Sequence, residues 1–199
     1  MSMRATAVKP GQKDSASLSD VPTPEPGPGE IRVKVIEVGV DGTDIDINEG
    51  LYGQAPPGEE RLIISHEAVG VIDKIGLHVS GFFKEELVVP TVRRGCPEQC
   101  PSCSQLEPDM CLTNNYEERG ILKLQGFMAD YFVEKPDNLL KVPPHLRAIG
   151  ILVEPLSICE KGIREIFKLQ QRLRWSPEMA LVLGAGSIGL LFTFLLLQR

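Results

Sequence analysis

The amino-acid sequence predicts a mostly β domain that is followed by the first strand, turn and helix of an α/β domain. Segments rich in β-branched residues, separated by glycine and proline, dominate the first 90 residues, which is typical of β-strands. Four cysteines are crowded into one short segment that lacks hydrophobic periodicity. Near the end of the sequence an apolar run, a glycine-rich turn and a second apolar run follow one another, which is the order of a βα unit.

The β domain is expected to span residues 1-150 and to contain a cysteine-bearing lobe over residues 94-118. A linker helix over 151-175 and an incomplete α/β domain over 176-199 follow it. The predicted strands lie in RATAV, IRVKVIEVGV, HEAVGVIDKIG and ELVVP, and strand-like patterning returns in GFMADYFVEKPDNLLKVPPHL, which ends in a proline turn. Between the first two strands, VPTPEPGPGE is a stiff, extended connector.

The segment EPLSICEKGIREIFKLQQRL predicts an amphipathic helix over residues 155–172. Its apolar residues recur near helical spacing, and they are Ile158, Ile163, Ile166, Phe167 and Leu173. Cys159 lies on the same predicted helix and is interpreted as a buried thiol of no special chemistry. The following SPEMALVLGAGSIGLLFTFLLLQR predicts an apolar strand, a glycine turn and an apolar helix.

Composition argues against several classes of protein. Hydrophobic residues make up 42% of the chain and charged residues 24%, which is ordinary for a globular domain with a buried core. A net charge of -6 offers no basic face, so we expect no nucleic-acid partner. The longest apolar run, IGLLFTFLLL, is shorter than the ~20 residues that cross a bilayer, so we also expect no membrane partner. The first residues lack the apolar core of a signal peptide.

The segment CPEQCPSCSQLEPDMC carries the strongest chemical pattern in the sequence. Cys96, Cys100, Cys103 and Cys111 follow the spacing C-x3-C-x2-C-x7-C on turn-rich backbone, which favours a tetrahedral zinc site. Four protein ligands leave no open position, so this zinc would be structural. The alternatives are redox cysteines, cysteines of no special role, or a zinc ribbon, which the acidic balance disfavours. A metal-binding cluster in place of disulfides predicts a reducing, cytoplasmic location.

The stretch GVDGTDIDI allows two interpretations. It is either a polar turn whose Asp and Thr side chains bond to their own backbone, or a loop in which Asp41 is a metal ligand and Thr43 relays a proton. His66 and Glu67, in SHEAVGV, and Glu154, in LVEPLS, favour the second interpretation. Together with Asp41 they could hold a zinc ion that keeps a position open for water or substrate. Their spacing alone does not bring these distant residues together.

The segment LVLGAGSIG contains Gly184, Gly186 and Gly189 as G-x-G-x-x-G, with Ala185, Ser187 and Ile188 between them. The match follows a predicted strand and opens a predicted helix, as dinucleotide binding requires. A pyrophosphate would then lie at the helix N-terminus, where free N–H groups favour an anion. The residue that selects NAD or NADP is expected ~20 residues further on, beyond this sequence.

Taken together, these motifs resemble the zinc-dependent medium-chain dehydrogenases, and among them the microbial glucose 1-dehydrogenases. The resemblance covers GVDGTD, HEAVGVI, PTVRRGC, the cysteine lobe, ERGI, GFMADYFVE, LLKVPP, VEPLS and GAGSIG. It implies a GroES-like catalytic domain, a structural-zinc lobe and a Rossmann domain. It also implies a catalytic zinc, NADP or NAD as cofactor, a small-molecule sugar as substrate and a homo-oligomer.

Site roles follow from the same resemblance, position by position. The catalytic zinc would be held by Asp41, His66 and either Glu67 or Glu154. Many relatives have cysteine in place of Asp41, and the harder oxygen is expected to retain zinc more weakly. Thr43 would hydrogen-bond the reacting hydroxyl and pass its proton outward. Glu118 and Glu154 would accept hydrogen bonds from sugar hydroxyls.

The implied reaction is oxidation of D-glucose at C1 to gluconolactone, with zinc-assisted hydride transfer to NAD(P). Relatives are roughly twice as long, so this 199-residue chain alone is expected to be inactive. The alternatives are another alcohol, polyol or aldose dehydrogenase of the family, or a non-catalytic, zinc-stabilised binding domain. Two departures from the family pattern are expected to disturb the backbone: Ser65 replaces a glycine before His66, and Glu85-Glu86 replaces a glycine-aspartate turn.

Overall fold

The computed structural model describes residues 1–174 and 176–198. The chain forms two compact units, Met1–Ile151 and Leu152–Arg199. The first unit is built from three mostly antiparallel sheets and short helical turns, and the described part of the second unit from helices.

A five-stranded antiparallel sheet forms the centre of the first unit. Its strand order is β10-β3-β5-β6-β11, where the strands are β3 (Ile31–Val38), β5 (Ala68–Ile75), β6 (Leu87–Pro90), β10 (Tyr131–Glu134) and β11 (Leu139–Lys141). The predicted strands in IRVKVIEVGV, HEAVGVIDKIG, ELVVP and the 126–146 segment are therefore confirmed. Alternate residues of these strands bury apolar side chains in one core, which includes Ile31, Val33, Ile72, Val88, Phe127 and Phe132.

Two smaller sheets complete the first unit. One has the order β2-β1-β4, with β1 (Ser2–Val8), β2 (Ser17–Pro22) and β4 (Leu62–Ile63). The other contains β7 (Arg93–Arg94), β8 (Glu117–Arg119) and β9 (Lys123–Leu124), and its first two strands close the base of the cysteine lobe. The sequence does not predict strand β2, whose last two residues, Val21 and Pro22, belong to the segment expected to be an extended connector. Its residues alternate between half-buried and exposed, so its apolar pattern is weak, and its pairing with β1 defines it instead.

The region after β3 forms a helix that the sequence does not predict. Helix α1 (Gly42–Asn48) occupies the stretch interpreted above as a loop. It is seven residues long and rich in aspartate, glycine and β-branched residues, all of which have low intrinsic helix propensity. Hydrogen bonds at its N-terminus and the burial of Ile47 stabilise it instead. Within the cysteine lobe, a single turn, α2 (Pro101–Ser104), follows Cys100.

Two helices make up the second unit. The predicted linker helix is α3 (Val153–Gln170), and α4 (Ser187–Leu196) follows the glycine turn. The buried side of α3 carries Cys159 and Ile163, and Phe192 of α4 approaches so closely that a Cβ at Gly162 would lie 2.9 Å from its Cζ atom. Among the described residues, no helix combines the length and apolar character needed to span a bilayer.

The predicted amphipathic helix forms, but only some of its apolar residues are buried. Ile158 and Ile166 are more than half exposed because they lie off the stripe that α3 buries, and Leu173, which is also more than half exposed, follows the end of the helix. The strand expected before the glycine turn is absent from the described residues. Residues 176–186 form no strand, although MALVL is an apolar run. A strand is stabilised by hydrogen bonds to a neighbouring strand, and no described residue pairs with this segment in a sheet.

Candidate active site and zinc lobe

Asp41 caps the N-terminus of α1, and its two carboxylate oxygens have different tasks. Oδ1 accepts hydrogen bonds from the backbone N–H groups of Thr43, at 2.8 Å, and Asp44, at 3.3 Å. These bonds satisfy donors that the first turn of a helix leaves unpaired. Oδ2 instead accepts a 3.2 Å hydrogen bond from the Thr43 hydroxyl and lies 3.7 Å from Nε2 of His66. The two interpretations of this stretch are therefore compatible, because each uses a different oxygen.

Asp44 is a site residue that the sequence analysis missed. It is 3% exposed, and its Oδ2 accepts from the backbone N–H of Asp41 while its Oδ1 accepts from that of Ser65. Burial raises the pKa of this carboxyl, against the lowering effect of the two backbone hydrogen bonds. Asp44 thus fixes the loop before His66 to the start of α1. The reciprocal spacing Asp41-x-x-Asp44, a capping box, is the signal that could have predicted its role.

His66 lies at the centre of this arrangement. It is 7% exposed, and among the described residues its Nδ1 is a buried polar atom without a hydrogen-bond partner. Ligand atoms of Asp41, Asp44 and His66 all lie within 4.8 Å of one another. Two ligands of a tetrahedral zinc, each about 2.0 to 2.2 Å from the ion, are separated by about 3.4 Å. The 3.7 Å between Asp41 Oδ2 and His66 Nε2 fits that separation and is too long for a hydrogen bond.

Ser65 adopts the left-handed conformation, with φ of 68°, which explains why a glycine suits this position. The loop accommodates the Ser65 side chain with its hydroxyl hydrogen-bonded. The Ser65 hydroxyl donates toward the carbonyl oxygens of Gly39, at 3.0 Å, and Glu67, at 3.1 Å, and so ties the loop to the end of β3. These contacts offset the steric cost of a side chain in this region of φ/ψ space, about 1–2 kcal/mol.

Glu67 is half-buried, and its carboxylate lies against Gly39. A Cβ added at Gly39 would overlap the Glu67 Oε2, so only glycine leaves room for this side chain. Burial raises the pKa of Glu67, while proximity to His66 lowers it. Glu154, the alternative ligand, lies in the first turn of α3 and belongs to the second unit.

The four lobe cysteines converge as the sequence predicts. Their sulfur atoms lie within 4.8 Å of one another, and the structure contains no disulfide among the described cysteines. Backbone N–H groups of Cys100 and Leu112 point at the sulfurs of Cys96 and Cys100, at 3.3 and 3.5 Å. Hydrogen bonding to Thr113 lowers the pKa of Cys111 to about 6. Free thiols held this close, on backbone that already donates to sulfur, suit a tetrahedral thiolate site for zinc.

Glu118 lies on β8 opposite Arg93 of β7 and is 7% exposed. Both Nε and Nη2 of Arg93 donate to its Oε1, at 2.9 and 2.5 Å. Two residues further on, Gly120 packs so tightly on the backbone of Ser65 that a Cβ there would overlap the Ser65 carbonyl oxygen. Glu118 is thereby held near the His66 loop.

The glycine turn of the second unit has the geometry that its spacing predicts. Gly184 has φ of 112°, which L-residues rarely adopt, and Gly186 is the N-cap of α4. A Cβ at Gly189 would overlap the Gly184 carbonyl oxygen. A Cβ at Gly186 would meet no atom within 4 Å, so the backbone at the start of α4 is open to a ligand's approach.

Comparison with known families now decides the classification. Residues 27–144 match the family model of the alcohol dehydrogenase GroES-like domain, and residues 147–199 match that of the glucose dehydrogenase C-terminus. The chain belongs to the zinc-dependent medium-chain dehydrogenases. The predicted GroES-like, mostly β fold with its four-cysteine lobe is thus confirmed.

Relatives within this dehydrogenase family are similar over nearly the whole chain. The glucose 1-dehydrogenase of Methanocella arvoryzae is 50% identical over 194 residues, which are 98% of this chain and 54% of the relative. That of Thermoproteus tenax is 45% identical over 98% of this chain. The glucose dehydrogenase of Haloferax mediterranei, solved in complex with NADP, Zn and gluconolactone, has a TM-score of 0.86 and 37% identity over 99% of this chain. The chain spans about half the length of the curated relatives it matches.

The second departure from the family pattern also leaves the local fold intact. Glu85 takes the glycine position with φ of 66°, and Glu86 takes the aspartate position. The Glu86 carboxylate accepts a 2.8 Å hydrogen bond from the backbone N–H of Phe83, so the turn closes as an aspartate turn would. The expected distortion is therefore absent, and the remaining cost is the conformation of Glu85.

Proposed function

We propose that this chain provides the zinc site and sugar site of a glucose 1-dehydrogenase, which oxidises D-glucose at C1 to gluconolactone with NADP or NAD. The observation that carries the proposal is the grouping of Asp41 Oδ2, His66 Nε2 and the Thr43 hydroxyl at the start of α1. The names of the similar enzymes support the choice of glucose among the possible alcohols.

Asp41 and His66 would hold the catalytic ion, with Glu67 or Glu154 completing the protein ligands. The burial of His66 and the 3.7 Å separation between its Nε2 and Asp41 Oδ2 support this assignment. When bound, zinc supplies Lewis acidity toward the C1 hydroxyl of the sugar. The cysteine cluster would hold a second, structural zinc.

Thr43 is proposed to relay the proton that leaves the C1 hydroxyl. Its Oγ1 now donates to Asp41 Oδ2 at 3.2 Å, so the hydroxyl is already oriented by a fixed carboxylate. A rotation about its χ1 would let Oγ1 accept the proton of the sugar hydroxyl while passing its own outward. The overall reaction moves a hydride from C1 to the nicotinamide and releases one proton to solvent. Glu118 and Glu154 would accept hydrogen bonds from other hydroxyls.

The glycine turn Gly184–Gly189 is proposed to bind the pyrophosphate of the dinucleotide. The positive φ of Gly184 and the open space around Gly186 support this role, because they leave backbone N–H groups at the start of α4 accessible to a phosphate. The residue that distinguishes NAD from NADP lies outside this sequence.

We also infer a reducing, cytoplasmic setting and a homo-oligomeric assembly for the family-length protein. The free state of all five cysteines supports the first inference. Analytical ultracentrifugation of the family-length protein tests the second, and a monomer would contradict it.

The decisive experiment measures NAD(P)H formation with a panel of glucose, galactose, xylose, sorbitol and ethanol. It compares the 199-residue chain with a version extended to the length of its relatives. We expect turnover with glucose in the longer protein and none in the shorter one, which contains the start of a cofactor domain only. Preference for another substrate would assign a different dehydrogenase of the family. No turnover in the longer protein, with the cysteine site loaded and the Asp41 site empty, would indicate a zinc-stabilised binding domain.

A further inference from the structure

The ion pair between Arg93 and Glu118 is asymmetric. Both guanidinium hydrogen bonds fall on one carboxylate oxygen, Oε1, and they come from Nε and Nη2. Among the described residues, Oε2 of Glu118 and Nη1 of Arg93 have no hydrogen-bond partner. Neither is among the buried, unpaired side-chain atoms, so both reach solvent. The pair therefore presents one free acceptor and one free donor.

The surroundings hold this pair rigid. The guanidinium carbon of Arg93 lies 4.4 Å from the ring centroid of Tyr116, a cation–π contact. The backbone of Glu118 is fixed by a 2.8 Å bond from its N–H to the carbonyl oxygen of Leu122 and a 2.9 Å bond in return. Burial raises the pKa of Tyr52, and the negative charge of Glu118 raises it further, so this second tyrosine lies within electrostatic range of the pair.

We propose that Arg93 is a sugar-recognition residue, whose free Nη1 donates to one hydroxyl oxygen of an aldose while Oε2 of Glu118 accepts from an adjacent hydroxyl. Adjacent hydroxyls of a pyranose provide one acceptor and one donor side by side, which matches what the pair offers. A fixed, charge-assisted pair of this kind strongly disfavours a sugar that lacks the contacted hydroxyl, because the site's polar groups would stay unpaired. The inference rests on the proposed function and deepens it.

The pair lies where a sugar at the proposed zinc site could reach it. Gly120, two residues after Glu118, packs on the Ser65 backbone next to His66. Tyr52 follows α1, whose first turn carries Thr43 and whose seven residues span only about 10 Å. The contact between Gly120 and Ser65 therefore links the strand that carries Glu118 to the loop that carries His66.

The test measures dissociation constants for D-glucose and its 2-, 3-, 4- and 6-deoxy analogues by NMR titration of the zinc-loaded chain. The variants are Arg93→Gln, Arg93→Lys and, as matched control, Arg32→Gln. Arg32 also bonds a carboxylate, that of Asp73 at 2.6 Å, and stacks on a tyrosine, Tyr131 at 5.3 Å, but lies on β3 away from the pair. The control removes the same charge from the same unit.

We expect Arg93→Gln to weaken glucose binding about tenfold or more, the scale of a charge-assisted hydrogen bond. Lysine keeps the charge but not the forked geometry, so Arg93→Lys should fall in between, and Arg32→Gln should bind as the unchanged chain does. At least one deoxy sugar should bind equally weakly to the unchanged chain and to Arg93→Gln, because it lacks the contacted hydroxyl.

The outcomes separate this inference from the proposed function. If the unchanged chain binds no glucose, the proposed function fails, and the sugar role of Arg93 fails with it. If it binds glucose and Arg93→Gln binds equally well, only the inference is overturned. Equal weakening of all five sugars would likewise overturn it, since a purely structural role predicts that result. Should Arg93→Gln fail to fold, the same dissociation constants are compared for Arg93→Lys and for Tyr116→Leu, which removes the ring that contacts the Arg93 guanidinium.

Discussion

Replacing Glu134 by glutamine should destabilise the first unit strongly. Glu134 is 5% exposed and holds two guanidinium groups: Arg94 through Nη2, and Arg119 through Nε at 3.1 Å and Nη2 at 2.7 Å. Its other oxygen accepts from the backbone N–H of Lys135 at 2.9 Å and from the Asn138 amide at 2.8 Å. Glutamine keeps the shape and removes the charge, so two largely buried arginines lose their counter-ion.

Breaking a buried pair in this way costs about 3–5 kcal/mol of unfolding free energy. With a urea m-value of about 2 kcal/mol/M, the unfolding midpoint should fall by about 2 M. The melting temperature of a unit of this size should fall by roughly 6–20 °C. Urea and thermal unfolding followed by circular dichroism measure both quantities.

The matched control is Glu25→Gln. Glu25 also bonds two cations, Arg32 at 2.6 Å and Lys74 at 2.5 Å, but its side chain is 60% exposed. Solvent screens such pairs, so we expect Glu25→Gln to lower the unfolding free energy far less than Glu134→Gln does. Equal destabilisation by Glu134→Gln and Glu25→Gln would refute the reasoning, because burial would then have no bearing on the cost.

The same carboxylate predicts a pH dependence. Burial raises the pKa of Glu134, but Arg119 and Arg94 outweigh it and hold the pKa below its ordinary value of 4.5. A lowered pKa contributes stability that is present above the ordinary value and is lost as pH falls through the folded-state pKa. The difference in melting temperature between the unchanged chain and Glu134→Gln should therefore shrink as pH falls below about 4.5. A difference that stays constant to pH 3 would contradict this.

Three further substitutions test other parts of the structure. Glu85→Gly should raise the unfolding free energy measured in urea titrations by about 1 kcal/mol, because glycine adopts the left-handed conformation of this position without steric cost. A gain no larger than that of Glu85→Ala would count against this. In Cys103→Ser, metal analysis should find one zinc fewer per chain, and amide exchange across the lobe should be faster, because zinc binding is coupled to folding there. Unchanged zinc content would exclude a four-thiolate site. Asp41→Asn should lose the more weakly held zinc yet leave stability nearly unchanged, because asparagine also caps helices; loss of stability with both zinc ions retained would assign Asp41 to capping alone.

Much of the β framework follows from local pattern. IRVKVIEVGV and ELVVP carry β-branched residues between glycine and proline breaks, and they became β3 and β6. The cysteine spacing likewise predicted a convergent cluster, because four sulfurs over so short a segment can meet by turns alone. In both cases the deciding interactions join residues close in sequence or depend on burial alone.

The parts that the sequence does not yield depend on distant partners. Helix α1 forms although its residues are poor helix formers, because Asp41 and Asp44 exchange hydrogen bonds at its start. Asp44 gains its role from Ser65, which is 21 residues away. The free atoms of Arg93 and Glu118 emerge only from the β7–β8 register, which joins two ends of a lobe that has no periodicity.

The pairing of β7 with β8 also affects how the domain unfolds. Arg94 of β7 pairs with Glu117 of β8, and the four cysteines lie in the loop that this strand pairing closes. Because β7 and β8 already bring the two ends of the lobe together, the lobe can open without lengthening any other connection in the domain. Opening would chiefly cost the metal that the four cysteines are proposed to bind. Metal loss should therefore produce a partly unfolded species in which the central sheet stays protected from exchange while residues 95–116 do not. We therefore expect the lobe to be a sub-global unfolding unit, whose opening depends on metal supply while the rest of the domain stays folded.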